Sequence, residues 1–197
     1  MHGSYGANMA IQNCDLLICV GMRFSDRVTG KVADFAPNAK IVHFEIDAAE
    51  VNKNVRVDYK VLGDLKWSLP ILRDKLNAAQ TDFAKKFGSW RIYSVEVGNK
   101  HPFSYNPDGD KIKPGALITK ISELCDENTI AVTDVGQHQM WAAQFFKVKA
   151  PRQFLTSGGL GTMGFGLPAA MGAKLACPNK KVVLFTGDGS IMMNIQE

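Results

Sequence analysis

The sequence has few of the features that tie a protein to a membrane, a metal cluster or a nucleic acid. Its 197 residues include four cysteines and no C-x-x-C pair, which argues against a zinc site or a disulfide framework. No apolar run approaches the roughly 20 residues that a membrane-spanning helix needs, and we expect no secretory signal at the start. The formal net charge is +4, but the basic residues are scattered, so no nucleic-acid-binding surface is predicted.

The first part of the chain alternates between short apolar runs and helical patterns. Asp15–Val20 and Lys40–Asp47 have the composition of buried parallel strands, and Tyr59–Gly63 is a weaker third strand. Tyr5–Cys14 and Leu65–Ala79 are predicted to be helices. This βαβ pattern is typical of a doubly wound α/β sheet.

A second α/β block follows a stretch rich in turn-forming residues. Gly98–Pro114 contains three prolines and several Asn and Asp residues, which indicates a linker or a long surface loop. After it we predict a helix from Pro114, strands at Thr129–Val135, Gln153–Thr156 and Lys181–Thr186, and helices at Gln139–Phe146 and Gly164–Ala176. We therefore expect an α/β fold with two partial doubly wound parallel-sheet domains, 1–80 and 114–197, joined by a connecting segment at 81–113.

The strongest chemical motif is the Gly-Asp-Gly-Ser sequence at 187–190, between an apolar strand and a predicted helix. A glycine turn at a helix start presents free backbone N–H groups to an anion. Asp188 would repel a phosphate there unless a cation bridged the two, and Mg²⁺ is commonly held by a carboxylate together with phosphate oxygens. The motif thus suggests a magnesium–diphosphate site, although an ordinary capped turn explains the spacing about equally well.

A second glycine-rich segment, 158–166, formally contains the pattern G-x-G-x-x-G between Gly159 and Gly164. It follows a predicted strand, opens a helix and precedes an acidic residue, Asp188, so it supports an alternative function as a nicotinamide-binding Rossmann oxidoreductase. Against that alternative, Asp188 lies within a second glycine turn, whereas a ribose-binding carboxylate normally stands at the bare end of its strand.

A third segment, Asp134–Trp141, follows a strand at the edge where open α/β sheets bind ligands. His138 could serve there as a general acid or base, or be only a polar residue at a helix start. Because three successive strands end in glycine-rich or amide-rich turns, we expect these turns to converge on one ligand.

Taken together, these segments closely resemble the acetohydroxyacid (acetolactate) synthase large subunits, a family of thiamine-diphosphate enzymes. The resemblance runs along essentially the whole chain. It rests on 1–3, 21–30, 63–64, 136–141, 158–170 and 187–190. Gly-Asp-Gly alone indicates only a thiamine-diphosphate enzyme, whereas Arg-Phe-x-Asp-Arg-Val-Thr-Gly and Gln-His-Gln-Met-Trp are far more specific.

The resemblance assigns residues of the second domain to thiamine diphosphate and Mg²⁺. Asp188 would be the metal ligand, and Gly189 and Ser190 would donate to the diphosphate. Met163 would be a catalytic apolar wedge that keeps the cofactor bent. The full set implied to bind this cofactor is Gly136, Gln137, His138, Gly161, Met163, Asp188, Gly189 and Ser190.

In the first domain the resemblance implies FAD contacts and one catalytic residue. Arg27 corresponds to the arginine that receives the carboxylate of the second 2-keto acid, although pairing with Asp26 would explain it equally well. Ser25 stands where the family usually has Asp. The implied FAD contacts are Met1, His2, Gly21, Met22, Arg23, Phe24, Ser25, Glu45, Ile46, Asp64 and Leu65.

The resemblance implies a parent enzyme that decarboxylates pyruvate and joins the remaining two-carbon unit to pyruvate or 2-ketobutyrate, in branched-chain amino-acid biosynthesis. We expect a homodimer or homotetramer, a regulatory small subunit as a possible partner, and no nucleic-acid or membrane partner. The compartment would be the cytoplasm of a bacterium or an organelle of a eukaryote. Another thiamine-diphosphate enzyme, of the pyruvate oxidase or glyoxylate carboligase type, remains an alternative.

We further expect the chain to be an internal fragment that is inactive alone. The family's cofactor-activating glutamate has no counterpart in this sequence, and Asn194 is too close to Asp188 to act as the second magnesium ligand. The purified chain, incubated with pyruvate and all three cofactors, should therefore form no acetolactate. Detection of acetolactate above a cofactor-free blank would contradict this prediction.

Overall fold

The computed structural model describes residues 3–106 and 109–197, which form two compact units that divide between Pro102 and Phe103. Each unit is built on its own three-stranded parallel sheet, as the sequence predicts. Within these described residues, no helix has both the length and the apolar composition needed to cross a bilayer.

The N-terminal unit has its strands in the order β1-β2-β3. Its strands are β1 (Leu16–Val20), β2 (Lys40–Glu45) and β3 (Tyr59–Leu62). Its α-helices are α1 (Tyr5–Asn13), α2 (Asp26–Thr29), α3 (Leu65–Ala78), α4 (Phe83–Lys86) and α5 (Gly88–Lys100). Single 3-10 turns lie at Val32–Asp34 and Ala48–Glu50. One face of the sheet packs into a core that contains Cys19, Phe24, Phe35 and Ile41. Cys19 therefore packs in this core as a small hydrophobic side chain.

Two of these helices lie in the predicted connecting segment 81–113. α5 ends at Lys100, so the predicted loop Gly98–Pro114 overlaps its last turn. The apolar residues of α5, including Trp90, Ile92 and Val95, lack a helical period, and the helix buries none of its residues. Hydrophobic periodicity could not have revealed it, because α5 presents no apolar face to a core.

The C-terminal unit surrounds a fully buried central strand. Its elements are α6 (Pro114–Leu124), β4 (Thr129–Thr133), α7 (Gln137–Phe145), β5 (Phe154–Thr156), α8 (Gly166–Ala176), β6 (Lys181–Phe185) and α9 (Asp188–Met192). The strand order is β5-β4-β6, and all five residues of β4 are buried. The chain leaves β4 for β5 on one side and then crosses to β6 on the other. Such a reversal opens a crevice beyond the carboxyl ends of the strands.

The contact between α1 and α5 provides a test of packing in the N-terminal unit. A Cβ on Gly6 would lie 2.7 Å from the Cα of Gly98 on α5, whereas a Cβ on Gly98 would meet no atom within 4 Å. We expect Gly6→Ala to lower the free energy of unfolding by about 1–3 kcal/mol, because two backbones must separate. Gly98→Ala, the matched control, should leave it unchanged or raise it by up to about 1 kcal/mol. Urea unfolding measures both, and equal effects would contradict the close approach of the two helices.

Candidate functional site

The turns after β4 and β6 lie at the same edge of the C-terminal sheet. The two strands are parallel, with Thr133 opposite Phe185, and the N–H of Asp134 donates to the carbonyl of Phe185 at 2.8 Å. The buried Ser190 hydroxyl then donates to the carbonyl of Val135 at 2.9 Å, which joins the two turns directly. The convergence expected from the sequence is therefore present for these two segments.

Between these turns lies a cleft of about 410 Å³. It is lined by Val135, Gly136, Gln137, His138, Trp141, Met163, Thr186, Gly187, Asp188, Gly189 and Ser190. The structure thus brings together every residue predicted to contact thiamine diphosphate except Gly161. Gly161 is exposed, has a φ of +66°, and does not line the cleft.

Two glycines make room for the imidazole ring of His138. A Cβ on Gly136 would lie 2.8 Å from Cε1 of His138, and one on Gly187 would lie 3.0 Å from the same atom. Gly136 also has a φ of +153°, a conformation that other residues rarely adopt. The imidazole ring of His138 therefore leaves no room for a side chain at Gly136 or Gly187.

His138 presents an unsatisfied nitrogen beside the cleft. Its Nε2 atom is buried and has no hydrogen-bond partner among the described residues. Desolvation lowers the pKa of His138 below its ordinary value of 6.5, and the charge and backbone of Asp134 oppose that shift only in part. A neutral imidazole at neutral pH can either donate or accept a hydrogen bond through this nitrogen, depending on its tautomer.

Asp188 supplies the carboxylate of the cleft lining. It is exposed, and its Oδ1 atom accepts from the N–H of Gly189 at 2.9 Å, which leaves the second oxygen toward solvent. Within the described part of the chain, no group of three or more His, Cys, Asp or Glu side chains could hold a metal ion. A cation at Asp188 would therefore need further oxygen ligands from a bound anion, as Mg²⁺ does with phosphates.

The G-x-G-x-x-G segment does not have the geometry of a dinucleotide-binding turn. α8 begins at Gly166, two residues after the last glycine of the pattern. The N–H groups of Gly164 and Gly166 are already bound by the carboxylate of Asp134, at 2.9 and 3.0 Å. Within the pattern itself, Gly164 therefore has no free amide for a pyrophosphate, which argues against the alternative of a nicotinamide-binding site.

In the N-terminal unit, the predicted FAD contacts follow the ends of three parallel strands. Gly21–Ser25 follows β1, Glu45 and Ile46 lie at the end of β2, and Asp64 and Leu65 come after β3, so all stand at one edge of the sheet. Met1 and His2 lie outside the described residues.

These predicted contacts do not share a single cavity. Arg23, Phe24 and Ser25 line one of about 560 Å³ with Lys53, whereas Asp64 lines another of about 430 Å³ between β3 and α3. Phe24 as a whole is 2% exposed, and its ring packs edge-on against Phe35 in the core, so this residue offers almost no surface to a ligand.

A buried histidine fixes the loop that follows β1. Nε2 of His43 lies 2.9 Å from the carbonyl oxygen of Met22 and therefore carries the proton that it donates there. Glu45 Oε2 is 3.5 Å from the same nitrogen, and Oε1 accepts from the N–H groups of Ile46 and Asp47. Glu45 is thus engaged by its own backbone in this structure.

Arg27 and Asp64 each have a local partner, and that of Arg27 is the one that the sequence already offered as an alternative. Arg27 pairs with its neighbour Asp26 at 2.8 Å, and both side chains are largely exposed. Asp64 caps α3 by accepting from the N–H of Lys66 at 2.8 Å. An exposed pair of adjacent residues contributes little stability, so Arg27 is free to exchange Asp26 for a ligand carboxylate.

Sequence reasoning assigned no role to four lining residues or to one buried carboxylate. The four lining residues are Val135, Trp141, Thr186 and Gly187, although Trp141 ends the Gln-His-Gln-Met-Trp motif and Gly187 begins Gly-Asp-Gly-Ser. Asp134, at the end of β4, is completely buried and binds the glycine-rich segment. An acidic residue directly after an apolar strand was the only available signal for it.

Comparison with known proteins agrees with this geometry. Residues 134–197 match the family described as thiamine pyrophosphate enzyme, C-terminal TPP binding domain, and residues 1–72 match thiamine pyrophosphate enzyme, central domain. The match to 1–72 covers β1, β2 and β3, and the match to 134–197 covers β5, β6 and every residue that lines the cleft, but not β4. The two matched segments therefore belong to domain families of the thiamine pyrophosphate enzymes, and residues 134–197 are of the type described as a TPP binding domain.

The chain is similar to acetolactate synthases along its whole length. It is 48% identical over 197 residues to acetolactate synthase 1, chloroplastic, of Nicotiana tabacum, of which it covers 30%. It is 48% identical to the acetolactate synthase isozyme 2 large subunit of Escherichia coli and 49% identical to the acetolactate synthase large subunit of Lactococcus lactis, over 34% and 33% of those proteins. The chain thus spans about a third of the length of these curated relatives.

The surroundings of His138 lead to a prediction about pH. Because its folded pKa lies below its unfolded value, the unfolded chain binds the proton more readily, and stability falls as the pH drops through 6.5 toward the folded pKa. We expect an NMR titration midpoint for His138 below 6.5. His138→Gln, which identifies the resonance, should also flatten the pH dependence of unfolding in this range. A midpoint at or above 6.5 would show that Asp134 outweighs desolvation.

Proposed function

We propose that this chain is the part of an acetolactate synthase large subunit that holds the diphosphate of thiamine diphosphate with Mg²⁺, together with part of an FAD site. The observation that carries the proposal is the cleft between the turns after β4 and β6, which joins Asp188, Met163 and the unsatisfied nitrogen of His138. The identity to acetolactate synthases over the whole chain supports the choice of reaction.

The cleft residues fit a magnesium diphosphate. Asp188 would ligate the metal, with phosphate oxygens as further ligands, and the backbone of Gly189 and Ser190 would face the diphosphate. Gly136, Gln137 and His138 would line its other side, where the first amides of α7 have no partner within the helix. Met163, which reaches the cleft as an exposed apolar side chain, would hold the organic part of the cofactor.

Thiamine diphosphate supplies an electron sink that allows a 2-keto acid to lose carbon dioxide. The residues of this chain would bind and orient it. In the N-terminal unit, Arg27 would receive the carboxylate of the acceptor 2-keto acid, because a guanidinium binds a carboxylate through two parallel hydrogen bonds. Arg23 and Lys53, which together line the cavity of about 560 Å³, would suit the phosphates of FAD.

The assembly and compartment belong to the same proposal. The two bacterial relatives compared above are named as large subunits, which supports a smaller partner subunit with a regulatory role. The homodimer or homotetramer of the parent chain is proposed from the resemblance alone. Relatives include a bacterial enzyme and chloroplastic ones, so the parent would act in bacterial cytoplasm or in a eukaryotic organelle. Another thiamine-diphosphate carboligase is the second candidate, since Asp188 and the cleft would serve it equally well.

Replacement of Asp188 tests the metal assignment. The fluorescence of Trp141, which lines the cleft, can report titration with thiamine diphosphate and Mg²⁺ when Trp67 and Trp90 are replaced by Phe. We expect Asp188→Asn to weaken binding by roughly 10- to 100-fold, the range for a lost bond to a charged group. The matched control Asp110→Asn removes an exposed carboxylate elsewhere and should change nothing.

The requirement for magnesium separates metal ligation from a general charge effect. Chelation of Mg²⁺ should weaken binding to the starting protein and leave Asp188→Asn almost unaffected. If Asp188→Asn binds the cofactor as tightly as the starting protein does, the metal assignment is wrong. Products formed from pyruvate by the full-length parent would distinguish acetolactate synthesis from the second candidate.

A further inference from the structure

Two side chains from different parts of the sequence form hydrogen bonds with the backbone of the turn that contains Met163. On one side, Asp134 is completely buried and accepts the N–H of Gly164 at 2.9 Å and the N–H of Gly166 at 3.0 Å. On the other side, Nδ2 of Asn194 donates to the carbonyl of Gly164 at 2.6 Å. Both the N–H and the carbonyl of Gly164, the residue next to Met163, are therefore bound by side chains that are distant in the sequence.

The contacts around this turn leave little freedom. Gly164 has a φ of +87°, and a Cβ there would lie 3.0 Å from Nδ2 of Asn194. A Cβ on Gly166 would lie 2.8 Å from the Cβ of Asp134. Because Gly164 and Gly166 have no Cβ, the side chains that bind their backbone can come close enough to form these hydrogen bonds.

The two side chains also connect the turn to both walls of the cleft. Asp134 directly precedes the Val135–His138 wall, and its Oδ1 atom accepts a third bond from the N–H of Val135 at 2.8 Å. Asn194 follows α9, the helix that begins with Asp188. Met163 reaches the second wall, since its Cε atom lies 3.7 Å from the position of a Cβ on Gly189.

We propose that Asp134 and Asn194 are positioning residues that clamp Gly164 and thereby hold Met163 in the diphosphate cleft. Neither side chain lines the cleft, so both act through the turn. The clamp itself is a property of the chain alone, whereas its effect on cofactor binding rests on the proposed function. A carboxylate is required at 134 because an amide would turn an N–H toward one of the two glycine N–H groups.

Amide hydrogen exchange of the full 197-residue chain without cofactor tests the clamp. In Asp134→Asn, we expect Gly164 and Gly166 to exchange at least about tenfold faster, which corresponds to the loss of one buried hydrogen bond. The amides of Ala131–Thr133 should keep their rates, which shows that β4 stays folded. Glu127→Gln is the matched control, because it makes the same chemical change at an exposed site of the same unit.

Asn194→Asp provides a second variant should Asp134→Asn fail to fold. It keeps the size of the side chain but places a carboxylate oxygen against the carbonyl of Gly164, so the turn should again exchange faster. Asn128→Asp is its exposed control. Unchanged exchange at Gly164 and Gly166 in the folded variants would overturn the clamp.

Titration with thiamine diphosphate and Mg²⁺, followed through Trp141, tests the consequence for the cleft. We expect both variants to bind roughly tenfold more weakly, since a loosened Met163 turn must be ordered on binding. Faster exchange with unchanged affinity would overturn the claim that the clamp serves the cleft. If the starting protein itself binds no cofactor, the proposed function fails, and the exchange experiment still decides whether the clamp exists.

Discussion

The parallel pairing of β4 with β6 is the constraint on which the candidate site depends. Parallel strands end at the same edge of a sheet, so this pairing brings Asp134–His138 and Gly187–Ser190 together although about 50 residues separate them. The strand order β5-β4-β6 adds the reversal that opens a crevice at that edge. The hydroxyl of Ser190 then bonds the backbone of Val135, so the two turns behave as one structural unit.

Glycine has two different roles in this site. Gly136 and Gly187 leave space for the imidazole of His138, whereas Gly164 and Gly166 allow Asp134 and Asn194 to approach the backbone. The second use argues against dinucleotide binding by the G-x-G-x-x-G pattern. The amide of Gly164, and that of Gly166 just beyond the pattern, are bound by the carboxylate of Asp134.

In the N-terminal unit the parallel strands also end at one edge of their sheet, but the predicted ligand contacts there do not share one cleft. Its strands run in the sequential order β1-β2-β3, without a reversal among them, and the predicted FAD contacts divide between two cavities. His43 holds the carbonyl of Met22, and the backbone engages Glu45, so part of this edge is organised by internal hydrogen bonds. The assignment of these residues to FAD stays a prediction that rests on the resemblance.

The order of residue types along the chain was enough to predict the two parallel α/β blocks, the strand positions to within two residues, and the three segments that carry chemistry. It could do so because buried strands and glycine turns are local patterns of residue type. Three facts could be learned only from the folded chain: α5 is a helix without an apolar face, Gly161 lies outside the cleft, and Asp134 binds Gly164 and Gly166. These facts depend on which strands pair and which backbones approach, and such contacts between distant residues leave no periodic trace along the chain.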